Sequence, residues 1–217
     1  MTFASEFKNQ IAEFNLLQHP FYQAWMKGEL TKENLNHYAV QYYPHVKAFP
    51  RYVSAVHSQC EDTASRRFLL ENLNDEEGFP NREDHPELWK QFAEGMGASR
   101  LDIENGKIGP KAQELVDKFW SLCRSSYAEG LATLYAYEHQ IPEIAKAKIS
   151  GLIERYGVSD SKTLKFFSVH ESADVFHSEA CVRLLNELPE EDRAPALAAG
   201  KKAAMALWDF LTEVYEH

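Results

Sequence analysis

The chain contains 217 residues, of which 44% are hydrophobic and 26% are charged, and its 33 acidic and 23 basic residues give a net charge of −10. These values are ordinary for a globular domain and exclude a disordered, collagen-like or coiled-coil chain. An acidic chain is a poor partner for phosphate backbones, so we expect no nucleic-acid binding. No apolar run approaches the roughly 18 residues of a membrane span, so we expect no membrane partner either.

The cysteines and the N-terminus both indicate a cytoplasmic protein. The three cysteines are far apart and none belongs to a C-x-x-C motif, a distribution typical of buried thiols in a reducing compartment. Charged residues interrupt the apolar residues of segment 1–14, which excludes a signal peptide there. We therefore predict a cytoplasmic location.

Apolar residues recur at intervals of three and four along almost the whole chain, which is the pattern of amphipathic α-helices. Glycine and proline are few, and no segment alternates apolar and polar residues as a strand would. We predict an all-α fold in which residues 1–217 form a single helical domain. The predicted helices cover residues 5–17, 20–28, 31–60, 63–77, 86–96, 110–125, 127–155, 160–187 and 193–215.

The first segment with candidate metal ligands runs from Glu76 to His85. Glu76 lies at the end of a predicted helix, and His85 follows a loop and precedes Pro86. Taken alone, this segment is most simply interpreted as a loop rich in charged residues.

The second segment places Glu138 inside an otherwise apolar stretch, four residues before Pro142. Proline lacks the N–H that would bond the Glu138 carbonyl, and its ring clashes with the same carbonyl. The predicted helix should therefore be distorted at Glu138, and such distortions are frequent at functional sites. The alternative is a long helix that bends around the core, with Glu138 in a salt bridge.

The third segment, His170 to His177, is the most informative. With about 100° of rotation per helical residue, Asp174 lies near +40° and His177 near −20° relative to His170. The three side chains share one stripe, and Phe166 and Phe167 make that side apolar. Burying a carboxylate and two imidazoles without binding partners would cost free energy. A bound metal ion would remove that cost. The alternative is a hydrogen-bonded polar cluster on a half-exposed helix.

Together the three segments offer carboxylates and imidazoles but no thiolate, a donor set that favours iron or manganese over structural zinc. Six ligands suit two ions, which typically lie about 3.5–4 Å apart. The Glu-x-x-His motifs of ferritin-like bundles are absent, so the ligand arrangement differs from theirs. The candidates are Glu76, His85, Glu138, His170, Asp174 and His177.

The sequence resembles the heme-oxygenase-like di-metal oxidases of the TenA/PqqC superfamily, and within them the CADD proteins of chlamydiae and their bacterial relatives. The resemblance extends from about residue 16 to residue 190. Several long motifs in one order make it far more specific than any single motif. They are His19–Lys32, Tyr42–Pro50, Glu71–Glu77, Leu88–Phe92, Tyr135–Pro142 and His170–His177.

The resemblance implies a seven-helix, heme-oxygenase-like bundle with its metal ligands at the same six positions. It also implies synthesis of para-aminobenzoate for folate by a self-sacrificing oxygenase, with two Fe and/or Mn ions, O2 and an external reductant. The consumed tyrosine matches Tyr22 and the amino donor matches Lys148, whereas Tyr38 and Tyr137 match tyrosines near the family's site. The partners implied are O2 and small molecules, and homodimers are common in this superfamily.

Two positions depart from the family pattern. The stretch from Glu76 to His85 is two residues longer than usual, which makes His85 the least secure ligand and leaves Glu77 as a substitute for Glu76. Lys148 lies about 15 Å from Glu138 along a straight helix, so only a bend near Pro142 would bring its amine back. Otherwise Lys148 would be a solvated surface lysine and Tyr22 a core aromatic residue.

Other functions fit parts of the pattern. A di-metal oxidase acting on a free small molecule would use the same ligands. A metal-free enzyme of cofactor synthesis, like PqqC or the TenA thiaminases, is also consistent with the fold, although the thiaminase cysteine is missing from residues 130–138. A purely structural interaction module has no need for six ligand-type side chains on a buried face.

Overall fold

A computed structural model describes residues 2–217 of the chain, with the side chains of residues 171–178 left outside the description. Within these residues the structure contains eleven α-helices, two short 3₁₀ turns and no strand, so the predicted all-α fold is confirmed. The helices are α1 (Phe3–Gln10), α2 (Pro20–Lys27), α3 (Lys32–Gln59), α4 (Thr63–Glu76), α5 (His85–Gly95), α6 (Arg100–Asn105), α7 (Pro110–Leu122), α8 (Tyr127–Glu138), α9 (Ile141–Glu154), α10 (Ser161–Asn186) and α11 (Glu190–Glu216).

Side-chain caps fix where many of these helices begin. Thr31, Asp62, Asp84, Ser126 and Asp160 each precede a helix and accept a hydrogen bond from a backbone N–H in its first turn. Such caps satisfy N–H groups that have no partner within the helix. The caps at residues 62 and 84 define the beginnings of α4 and α5.

The expected count of seven helices is wrong, because the described chain is divided more finely. The predicted helix 5–17 ends at Gln10 and continues as the 3₁₀ turns Ala12–Phe14 and Leu16–Gln18. Helix α6 was not predicted, because its six residues are too few to establish a period. Its first turn is nevertheless capped by Ser99, whose hydroxyl accepts from the Asp102 N–H at 3.1 Å.

The predicted helix 127–155 is two helices rather than one. Helix α8 ends at Glu138, and α9 begins at Ile141. Pro142 lies in the first turn of α9, where its missing N–H leaves no bond unmade. The expected distortion at Glu138 is thus a complete break between two helices. The second helix begins so that Pro142 lies in its first turn, a position where proline is favoured.

Helix α8 forms the centre of the bundle. Every residue from Gly130 to Glu138 is buried, which is the pattern of a helix covered on all sides. It packs against α11, α10 and α3. The contact with α11 is close: a methyl group added at Gly200 would stand 2.0 Å from the Phe7 ring and 3.2 Å from the Ala132 carbonyl oxygen.

One hydrophobic core joins the helices, and its fully buried side chains include Trp25, Tyr38, Trp89 and Phe210. No helix, in the part of the chain that the structure describes, has an apolar stretch long enough to span a bilayer. The three cysteines are buried, as predicted.

Candidate metal centre

Three of the predicted ligands come together in the interior. Glu76 is the last residue of α4, His85 is the first residue of α5, and His170 lies in the middle of α10. All three side chains are buried. Their ligand atoms lie within 4.8 Å of one another, and they are the one group of this kind among the described side chains. The lengthened loop therefore still delivers His85 to the cluster.

The geometry of the cluster suits a cation. The Nδ1 atom of His85 lies 2.9 Å from the Oε2 atom of Glu76, and the His85 and His170 ring centroids are 4.3 Å apart. The Nδ1 group of His170 is 2.6 Å from the Phe166 carbonyl oxygen and donates to it, so His170 would bind a metal ion through Nε2. A backbone carbonyl that orients the second ring nitrogen is the usual support of a metal-binding histidine.

Glu138 lies next to this cluster and is itself buried. Its Oε1 atom accepts a hydrogen bond of 2.6 Å from the Asn72 side-chain amide, and its Oε2 atom accepts a weak one of 3.5 Å from the Cys181 thiol. Asn72 is four residues before Glu76 on α4, so the two side chains share one face of that helix. The Asn72 contact therefore holds Glu138 against the face of α4 that also carries Glu76, although Glu138 is not one of the three side chains whose ligand atoms converge within 4.8 Å.

Two further predicted ligands, Asp174 and His177, lie outside the described side chains, and their role as ligands stays a prediction. Glu77, the substitute considered for Glu76, is exposed, whereas Glu76 is buried. Burial thus favours Glu76 as the ligand from this end of α4.

Lys148 is buried, contrary to the alternative that it is a solvated surface lysine. Its amine donates a hydrogen bond of 2.5 Å to the Tyr38 hydroxyl. The amine also stands 5.4 Å from the Tyr22 ring centroid and 5.0 Å from that of Phe167. Burial lowers the pKa of Lys148 well below its ordinary value, because the apolar surroundings disfavour the ammonium ion. A neutral amine is a nucleophile, which an ammonium ion is not.

The tyrosines of this region form a connected group. The Tyr38 and Tyr42 rings are stacked with centroids 5.6 Å apart, and the Lys148 amine lies 5.4, 4.6 and 5.9 Å from the ring centroids of Tyr22, Tyr38 and Tyr42. Burial raises the pKa of Tyr22, Tyr38 and Tyr42, so their phenols stay protonated near neutral pH. Tyr137 directly precedes Glu138 on α8.

A small cavity joins the tyrosines to the metal cluster. Its volume is about 20 Å³, close to the room that one water molecule needs. Tyr22, Tyr137, Lys148 and His170 all contribute to its walls. The break after Glu138 means that Lys148 is not on a straight continuation of α8, and its side chain is buried in the interior.

Some residues of the site lie outside the prediction from sequence. Asn72 and Cys181 contact Glu138. Asn72 was noticed only as part of the matched motif Glu71–Glu77, and no motif contains Cys181. His45 was noticed only as part of a matched motif. It is buried among five aromatic rings, and within the described residues neither of its ring nitrogens has a hydrogen-bond partner.

The residues present fit a bound transition-metal ion. Two imidazoles and a carboxylate converge in a buried space, a second buried carboxylate lies nearby, and no thiolate joins the cluster. Oxygen and imidazole donors suit iron and manganese.

The chain is similar to a known family of enzymes and to proteins of known activity. Residues 36–209 match the model of a family described as "Iron-containing redox enzyme". The chain is 43% identical over its whole length to a 4-aminobenzoate synthase of Chlamydia muridarum, covering 91% of that protein. It is 40% identical, again over its whole length, to a 4-aminobenzoate synthase of Nitrosomonas europaea, covering 92% of that protein.

Solved structures share the fold at low sequence identity. A TenA homologue from Pseudomonas syringae superposes with a TM-score of 0.86 at 18% identity, covering 99% of this chain and 93% of the other. A CADD-like protein from Nostoc punctiforme gives a TM-score of 0.75 at 18% identity, covering 98% of each chain. A third neighbour, from Shewanella denitrificans, is described as having a heme oxygenase-like fold and gives a TM-score of 0.77 at 20% identity. The expected heme-oxygenase-like fold is confirmed.

Proposed function

Since this chain belongs to the family of iron-containing redox enzymes, we propose that it makes 4-aminobenzoate in a reaction that consumes one of its own tyrosines and O2. The observation that supports 4-aminobenzoate as the product is the sequence identity of 40–43% to 4-aminobenzoate synthases, over 94–100% of the chain. The observation that supports the internal source is the burial of Tyr22 and Lys148 at one small cavity.

Tyr22 is the proposed source of the aromatic ring. Its side chain already contains a para-substituted ring that carries one carbon, so the conversion requires cleavage of the Cα–Cβ bond, oxidation of that carbon and replacement of the phenol oxygen by nitrogen. Burial on α2 holds the ring in one place, which is the contribution that positioning makes to catalysis.

Lys148 is the proposed nitrogen donor. Its amine lies close to the Tyr22 ring and is hydrogen-bonded to Tyr38. The lowered pKa of Lys148, caused by burial, favours the neutral and therefore nucleophilic form of the amine. Tyr38 has the role of orienting this amine, and Tyr137 that of packing beside Glu138.

We further propose that Glu76, His85, Glu138, His170, Asp174 and His177 hold two ions, Fe and/or Mn, and that the enzyme is a homodimer supplied by an external reductant. Such a pair of ions, when bound, supplies the oxidising power that no ordinary side chain has. The chain's own residues exclude water and hold the two reacting side chains. A free substrate fits less well, because the described walls leave a cavity of only about 20 Å³.

Isotope labelling tests the proposal. Protein carrying ring-labelled tyrosine is loaded with iron and manganese and given reductant, O2 and an excess of unlabelled free tyrosine. We expect labelled 4-aminobenzoate, at most one molecule per chain, and loss of the Tyr22 side chain by mass spectrometry. Tyr22→Phe and Lys148→Met should abolish the product. Tyr215→Phe, at an exposed position, is the matched control and should retain it. Unlabelled product, or repeated turnover by Tyr22→Phe, would contradict self-sacrifice.

A further inference from the structure

A cationic recess on the surface is unexplained by the proposed chemistry. It has a volume of about 480 Å³ and lies between α3 and the C-terminal end of α7. Arg51 and Arg124 stand over the Trp120 ring, with guanidinium carbons 4.5 Å and 5.2 Å from its centroid. The remaining polar walls come from Ser54, Ser58 and Gln59.

The two arginines of the recess are available to an anionic partner. Both are exposed, and neither guanidinium group forms a salt bridge or hydrogen bond with the residues that the structure describes. Their side chains are held near the Trp120 ring by cation–π contacts. In a chain of net charge −10, such a pair is a local exception that would attract an acidic surface.

A row of aromatic rings connects the recess to the candidate metal centre. The Trp120 ring is 6.0 Å from that of Tyr52, which is buried. The Tyr52 ring is 5.7 Å from His45, and His45 is 5.3 Å from Tyr137. Tyr137 is the neighbour of Glu138 in the chain. Successive centroids of these rings are 5.3–6.0 Å apart, so the π-systems form one unbroken row through the core.

A role in this row of rings would explain why His45 is buried. A buried imidazole whose nitrogens lack partners among the described residues is costly to fold, so a packing role alone does not explain it. Burial lowers the pKa of His45 to about 3, which keeps the ring neutral. A neutral π-system between Tyr52 and Tyr137 bridges the gap without adding charge.

We propose that the recess at Trp120 is the docking site of a small acidic electron-transfer protein, and that Tyr52, His45 and Tyr137 conduct its electrons to the centre. This inference rests on the proposed function, which requires an external reductant. Each passage would move one electron from the donor's flavin or iron–sulfur group to the ions that the candidate ligands would hold, so the donor would lose one electron and the ions would gain one. The aromatic rings are unchanged at the end. Electron-transfer encounters are typically small and weak, as suits a patch of this size.

Binding to the metal-free protein tests the docking step by itself, with an acidic flavodoxin as the probe. We expect the double variant Arg51→Glu/Arg124→Glu to weaken binding about tenfold or more at low ionic strength, because complementary charges there become repulsive. Lys146→Glu/Lys202→Glu changes the net charge equally at exposed positions outside the recess and should leave the affinity within about twofold. Added salt should weaken binding to the wild-type protein.

Transfer is tested with the metal-loaded protein and reduced flavodoxin in a stopped-flow instrument. Trp120→Phe preserves an aromatic ring but removes the indole, so we expect unchanged binding and slower reoxidation of the flavodoxin. Ascorbate in place of flavodoxin should support equal product formation in all variants, which separates this inference from the proposed function.

Three results would overturn the docking proposal. The first is equal binding by the recess variant and its control. The second is equal reoxidation of flavodoxin by Trp120→Phe and the wild type. The third is binding of inorganic phosphate in the recess without any binding of flavodoxin, which would make the recess a small-anion site. Absence of product with ascorbate would instead count against the proposed function.

Discussion

Replacing the buried amine of Lys148 should make the protein more stable, by an amount that depends on pH. The amine lies in the core, and its pKa is well below that of an exposed lysine. In the unfolded chain the same amine has a pKa of about 10.4. Between these two pKa values the unfolded chain holds a proton that the folded chain does not, so the free energy of unfolding increases with pH.

The size of the effect follows from this linkage. Over the interval below pH 10.4, each pH unit is worth about 1.4 kcal/mol per proton, down to the folded-state pKa. Methionine has a similar length and no charge to bury. The stabilisation by Lys148→Met should therefore shrink by about 1.4 kcal/mol as pH rises from 8.5 to 9.5, which is a difference of about 3–6 °C in Tm for a chain of this size.

Urea unfolding of the metal-free protein at the two pH values measures this difference. Lys146→Met is the matched control, since Lys146 lies on the same helix but is exposed. We expect the control to change stability equally at both pH values. A pH-independent difference for Lys148→Met would show that the amine remains charged in the folded protein, and the argument for a neutral nucleophile would fail.

Three further outcomes are expected. Glu76→Gln should lower the iron and manganese content measured by elemental analysis, because it removes a charged donor from the cluster, and wild-type content would contradict the assignment of Glu76. Tyr38→Phe should reduce the free energy of unfolding by about 1–3 kcal/mol, since it leaves the buried Lys148 amine without its hydrogen-bond acceptor, and thermal melting that matches the wild type would refute this. Gly200→Ala should cost about 1–3 kcal/mol by forcing the Phe7 ring away from the α8–α11 contact, and a variant as stable as the wild type in urea would show that Phe7 moves freely.

The ligand cluster could be predicted from sequence because its signals are local. The spacing of His170, Asp174 and His177 indicates that they share one face of a helix. The proline four residues after Glu138 indicates a distortion of the helix at a buried carboxylate. The convergence of Glu76 with His85 depends on how α4 and α5 are joined, which spacing alone does not fix. The resemblance to a known family supplied that part.

Other features depend on tertiary packing and could not be predicted from spacing. The distance of Lys148 from Glu138 along a straight helix argued against its role. Only the observed burial of Lys148 beside Tyr22 and Tyr38, on a helix separate from α8, removes that objection. Asn72 and Cys181 are ordinary residues in their own helices and become partners of Glu138 only when three helices meet. Helix propensity and the period of apolar residues contain no information about which side chains of different helices will be in contact.

The burial of Tyr22 has a consequence for the lifetime of the protein. Under the proposed function, reaction removes a ring that is 3% exposed and packed against Phe21. Loss of a buried aromatic side chain typically costs about 3–5 kcal/mol, which is a large part of the 5–15 kcal/mol that holds a native domain together. A molecule that has reacted would therefore unfold more often than a fresh one and be degraded first by cellular proteases. Product formation would then be coupled to the rate of protein synthesis, with spent chains returned to the amino-acid pool.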